Sequence, residues 1–79
     1  MLQRLPEVLR GRAVSRSTHY RDIENGLWTR PVVIGTRAVA WPGDECEALI
    51  AARIAGKSPD EIRDLVKLLE EQRTQQAAA

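Results

Sequence analysis

A mostly α-helical fold carrying one small β-hairpin follows from three features of this sequence. Apolar residues recur at helical spacing in several segments, a short β-branched run interrupts them mid-chain, and capping residues or glycines mark the boundaries. With 79 residues the chain makes one domain. A body of this size buries only roughly 60% of the surface its unfolded chain exposes, so a deep, dry enzyme pocket is not expected. An apolar content of 43% with 29% charged residues suits a folded globule rather than a disordered tail.

The first helix is expected over about Pro6 to Arg10. Pro6 fits a first helical turn, Glu7 favours the helix N-terminus, Leu5, Val8 and Leu9 supply the buried stripe, and Gly11 ends it. After a short connection Ser15 is a good N-cap, and the helix it opens runs until Asn25-Gly26. Pro31 breaks any helix. Val32, Val33 and Ile34 have strand character, Gly35 permits a reversal, and Val39 and Trp41 alternate with Ala38 and Ala40, which reads as a hairpin. Trp41, at its end, is expected in the core.

From Asp44 to Ala55 the apolar positions Cys46, Leu49, Ile50 and Ile54 fall at helical spacing, with acids in the first turn and Gly56 as the stop. Ser58, Pro59 and Glu61 then form a capping box that opens a fourth helix with the stripe Ile62, Leu65, Val66 and Leu69, widened by Leu68. The terminal stretch from Arg73 has no stripe and is expected to fray.

A lone Cys46 cannot form an internal disulfide and lacks the Cys/His neighbours of a zinc site, so neither a metal nor any other cofactor is expected and the context reads as reducing and cytoplasmic. No apolar run is long enough for a signal peptide or a membrane span. Net charge is only +1, yet residues 1–42 carry seven arginines against three acids, whereas residues 43–79 carry five basic and eight acidic side chains. Both lysines lie in the acidic half, and the basic half uses only Arg, whose planar fork suits phosphates and guanine edges.

Helix, tight turn, helix, hairpin is the order of a winged helix-turn-helix, here with an additional C-terminal helix. Such a fold sets the N-terminal residues of its second helix against DNA, where hydroxyls and helix-terminal N–H groups bond phosphates and Arg reaches base edges. Ser15, Arg16, Ser17, Thr18, Tyr20 and Arg21 are the residue types this requires. Arg37, just past the hairpin's reversal, suits the minor groove or the adjacent backbone. His19 either faces helix one together with Ile23 or turns outward as a further contact.

The stretch "SRSTHYRDIENGLWTRPVVIGTRAVAWP", followed by an acidic-start helix ending "IAARIAG", resembles the AlpA family of prophage and integrative-element regulators, related to phage excisionases and to the MerR-type winged helix. The resemblance runs from about Leu5 to Lys57. It implies sequence-specific DNA binding, either as a transcriptional regulator of the element or as an excisionase controlling integrase direction. It also implies that Ser15, Arg16, Ser17, Thr18, Tyr20 and Arg21 belong to the recognition helix, and Gly35, Thr36 and Arg37 to the wing. His19 and Asp22 stand where many relatives carry aliphatic residues, which makes the inner face of helix two unusually polar.

The expected division is therefore a DNA-binding winged helix-turn-helix over residues 1–57, a C-terminal helix over 58–76 and a frayed tail over 77–79. Helix four either folds over the core or pairs with another protomer through Ile62, Leu65, Val66 and Leu69. Double-stranded DNA, a second copy, and an integrase or RNA polymerase are the expected partners. A rival reading is a protein-interaction adaptor using acidic helices three and four. An enzyme is disfavoured, since one His and one Cys offer no catalytic constellation.

Overall fold

The computed structural model describes residues 1–78, with side chains through Gln75. Its elements run β1 (Leu2–Gln3), α1 (Leu5–Arg12), α2 (Arg16–Glu24), β2 (Val32–Val33), β3 (Val39–Pro42), α3 (Gly43–Ile54) and α4 (Pro59–Ala78). The hairpin is as expected, with Val32 opposite Ala40 and Val33 opposite Val39. A third strand, absent from the sequence reading, joins it: Leu2 and Gln3 pair antiparallel with Pro42 and Trp41, which makes β3 the centre of the order β1-β3-β2. Gly43 permits this crossing, because its N–H donates to the Met1 carbonyl at 2.6 Å and a Cβ there would lie 2.7 Å from that oxygen.

Local signals set most helix ends. Ser15 caps α2, its Oγ accepting from the Thr18 N–H at 3.2 Å, and Gly26 turns the chain with φ of 75°. At α4 the capping box is complete: the Glu61 N–H donates to Ser58 Oγ and the Ser58 N–H to Glu61 Oε1, both at 3.2 Å. Helix α1 departs from expectation. Gly11 lies inside it, and the end comes at Ala13, which adopts a left-handed φ of 57° while the Val14 N–H closes on the Leu9 carbonyl at 3.3 Å. A glycine inside a helix costs only about 1 kcal/mol relative to Ala, so Gly11 does not by itself stop α1.

Val8, Trp28, Trp41, Cys46, Leu49, Ile62 and Val66 form the core. Trp41 is fully buried as expected and donates from Nε1 to the Thr29 carbonyl at 2.9 Å. Ile62 and Val66 of α4 are buried in this core, with Leu65 and Leu69 packed against it. Of the four residues expected to serve self-association, Ile62 and Val66 are therefore committed to the chain's own interior, and Leu65 and Leu69 are half-buried against it.

The far end of α4 is tied down as well. Arg73 grips Glu45 of α3 through two bonds (Nε to Oε2 at 2.7 Å, Nη2 to Oε1 at 2.6 Å) and donates to the Arg30 carbonyl at 2.8 Å. Glu70 accepts the Arg30 N–H at 2.8 Å. Fraying from Arg73 onward is thus not what the backbone does, since helix continues to Ala78; Ala79, the end of the expected frayed tail, lies outside the described residues. No helix among the described residues is long and apolar enough to cross a membrane.

Candidate nucleic-acid interface

Helix α2 divides into two faces. At 100° per residue, Arg16, Ser17, Tyr20, Arg21 and Glu24 share one arc, and Thr18, His19, Asp22 and Ile23 share the other. Arg16, Ser17, Arg21 and Glu24 are exposed, while Thr18 and Tyr20 are half-buried at the boundary. Ser15, also exposed, commits its oxygen to the cap and donates to Thr18 Oγ1 at 3.1 Å. The Arg16 guanidinium lies 5.6 Å from the Tyr20 ring centroid, a cation–π contact that pre-orders a long side chain. The first turn of α2 carries no acid, unlike α1 with Glu7, α3 with Asp44 and Glu45, and α4 with Asp60 and Glu61. Its N-terminal partial positive charge is left uncompensated, the arrangement that favours an incoming anion.

The hairpin tip presents Gly35, Thr36 and Arg37, all exposed, below a closing bond from the Ile34 N–H to the Ala38 carbonyl at 2.9 Å. Gly35 has no left-handed φ, and a Cβ there would meet Ala38 Cβ at an ordinary 3.5 Å, so the reversal does not demand glycine. Val33 and Ile34 beside the tip are exposed.

His19 is no part of an outer surface. It is fully buried, edge-on to Trp41 at 4.9 Å, Tyr20 at 5.5 Å and Trp28 at 5.8 Å. The reason it can be buried is Arg12, one of the seven arginines of the basic half. Arg12 turns inward from the last residue of α1 with its side chain 2% exposed. It donates from Nη1 to His19 Nδ1 at 2.7 Å, pairs with Asp22 through Nη2, and lies 4.1 Å over the Trp28 ring. Because a guanidinium only donates, Nδ1 must accept, which places the ring proton on Nε2 of a neutral imidazole. Burial, and next the Arg12 charge, lower the His19 pKa to about 4. Burial also lowers the Arg12 pKa, and Asp22 opposes that shift.

From α3, Arg53 reaches the same Asp22 oxygen at 3.5 Å and donates to the Leu27 carbonyl at 3.2 Å. His19 Nδ1 and the Asp22 carboxylate on the inner face of α2 are thereby bonded from α1 and α3, while His19 Nε2 is buried without a hydrogen-bond partner. The signal for it was present: His19 and Asp22, one turn apart on a face that must be buried, require a donor, and Arg12 is the cation at the adjacent helix end. Elsewhere in the core the Cys46 thiol is pushed up to about 11, by burial first and then by Glu45, and stays protonated. Among the described residues no group of three or more His, Cys, Asp or Glu is placed to hold a metal ion.

The family model of the prophage CP4-57 regulatory protein (AlpA) matches residues 2–54, from β1 through the last residue of α3. A protein of enterobacteria phage P4, described as uncharacterized protein ORF88, is 43% identical over 54 residues, which are 68% of this chain and 61% of that protein. This chain thus aligns to somewhat under two thirds of that relative's length. Helix α4 lies outside the family match. With two thirds of its length carrying the pattern, the chain belongs to the AlpA family of prophage regulatory proteins.

Proposed function

We propose that this chain is a sequence-specific double-stranded DNA-binding protein of a prophage or integrative element. It docks the outer face of α2 in the major groove and sets the Gly35-Thr36-Arg37 tip on the minor groove or the adjacent backbone. The observation that carries this reading is the α2 face itself: exposed Arg16, Ser17 and Arg21 around a capped helix start with no acid in its first turn. Bound there, the element's DNA would be switched in transcription or in the direction of its recombination, with RNA polymerase or an integrase as the further partner. No catalytic role is assigned, and the site of action is the nucleoid.

The adaptor reading loses support from the packing of α4, whose Ile62 and Val66 are buried in the core and whose exposed residues are mostly polar or charged. Substitution of the exposed arginines tests the DNA reading. Arg16→Ala and Arg21→Ala should each change stability by less than about 0.5 kcal/mol. Each should weaken binding to a selected duplex by roughly 1–3 kcal/mol if the side chain reads a base. Parental affinity in both folded variants would remove α2 as the recognition helix.

A further inference from the structure

We infer that Arg12 is the positioning residue of the recognition helix: without touching DNA, its buried guanidinium sets the orientation of α2 against α1 and α3, and so decides how well the exposed face discriminates between sequences. The inference rests on the DNA-binding reading above.

Helix α2 brings little to the core by hydrophobic means. His19 is its one buried residue among the nine from Arg16 to Glu24, and Ile23 is only half-buried. What anchors the helix instead is a set of directional bonds. Arg12 grips the inner face at two points one turn apart, His19 Nδ1 and the Asp22 carboxylate, while its flat face rests on Trp28. Arg53 takes hold of the same carboxylate from α3 and bonds the Leu27 carbonyl just beyond the end of α2. Aliphatic contacts tolerate sliding and rotation, because substitutions of similar volume and small shifts cost little. Buried charge-assisted bonds do not, since a partner left unpaired in the interior carries its full desolvation cost.

The arrangement therefore specifies one orientation of α2 rather than a range. Base readout depends on such precision, as functional groups must be held within about 0.5 Å and 10–20° of their productive placement. Contacts to phosphates are more forgiving, because their attraction is long-ranged and carries no sequence information. Loss of Arg12 should then separate the two, lowering discrimination while general affinity for DNA persists.

The experiment uses a duplex selected by the parent protein from a random-sequence pool and a scrambled duplex, both measured at several salt concentrations. The variants are Arg12→Met, which keeps the side-chain length over Trp28, and Arg12→Lys, which can pair with Asp22 but cannot also fork to His19. Arg12→Met is expected to remain helical, to bind the scrambled duplex with the parental salt slope, and to lose about ten-fold or more of the preference for the selected duplex, which is about 1.4 kcal/mol. Arg12→Lys should recover part of that loss. Parental discrimination in folded Arg12→Met overturns the inference, as does a salt slope reduced by about one, which would make Arg12 a phosphate contact.

If Arg12→Met fails to fold, Asp22→Asn carries the same measurement, and parental discrimination there overturns the inference equally. If the parent selects no duplex, it is the DNA reading that fails. Residual dipolar couplings of α1 and α2 in the parent and in Arg12→Lys then decide the positioning role, an unchanged interhelix orientation contradicting it.

Discussion

His19 is fully buried, and its ring nitrogen Nδ1 meets the Arg12 guanidinium at 2.7 Å. On a short helix rich in hydroxyls and arginines it reads equally as a contact or as an inner-face residue, and only the partner at its Nδ1 decides. Buried beside Arg12, with Asp22 on its own helix, Arg53 from α3 and the rings of Trp28 and Trp41 around it, it must stay neutral. Its pKa falls from an ordinary 6.5 to about 4 in the fold. Between those values the unfolded chain binds a proton that the folded chain refuses, so stability is complete above about pH 6.5 and declines as pH falls towards 4. The loss is on the order of 1–3 kcal/mol. His19→Gln, which keeps an acceptor but does not titrate, should flatten the fall in melting temperature between pH 6.5 and 5. Identical pH profiles for variant and parent would mean that His19 titrates normally and is not held neutral.

At the scale of elements, the packing of α4 follows the first of its two expected arrangements, folding over the core. Its stripe suits another protomer as well as it suits this one, but Ile62 and Val66 are buried in the same core cluster as Trp28 and Trp41, and Arg73 clamps Glu45 and the Arg30 carbonyl. Removing a buried aliphatic side chain costs roughly 2–5 kcal/mol, and a domain this small has only a few to lose. A chain truncated after Gly56 should therefore show no cooperative thermal transition, whereas a cooperative melt would make α4 an appendage.

Elements announced by local chemistry were legible in advance: the Ser15 cap, the Asn25-Gly26 end, the hairpin, and the box at Ser58 and Glu61 depend on neighbours in sequence. What escaped depends on distance along the chain. Leu2 and Gln3 form a strand only because Pro42 and Trp41 wait to pair with them. Ala13 ends α1 in a backbone conformation that favours glycine, so no residue type marks that end, and Gly11 two residues earlier lies inside the helix. The burial of Arg12 is not legible locally, because burying a guanidinium needs acceptors and a ring, here His19, Asp22 and Trp28, that lie further along the chain. On the α2 face, by contrast, Arg16, Ser17 and Arg21 stand exposed as expected, since a solvated polar arc follows from helical period alone.

For the whole molecule, a net charge of +1 conceals a division that the fold preserves. Arg12 is neutralised internally by Asp22, and Arg73 by Glu45, while Arg16, Arg21 and Arg37 remain exposed and outside the ion pairs found among the described residues. The acids of α4 line a helix that the family pattern does not include. If the exposed arginines meet a phosphate backbone, each phosphate neutralised releases counterions and steepens the dependence of log K on log[salt] by about −0.9. Whether these arginines bind duplex DNA is read from a salt titration of the full chain on duplex DNA. The expected slope is about −2 to −3, reduced by about one unit on substitution of each of Arg16, Arg21 and Arg37 that meets a phosphate rather than a base; a flat titration, or no binding at low salt, overturns the DNA-binding reading.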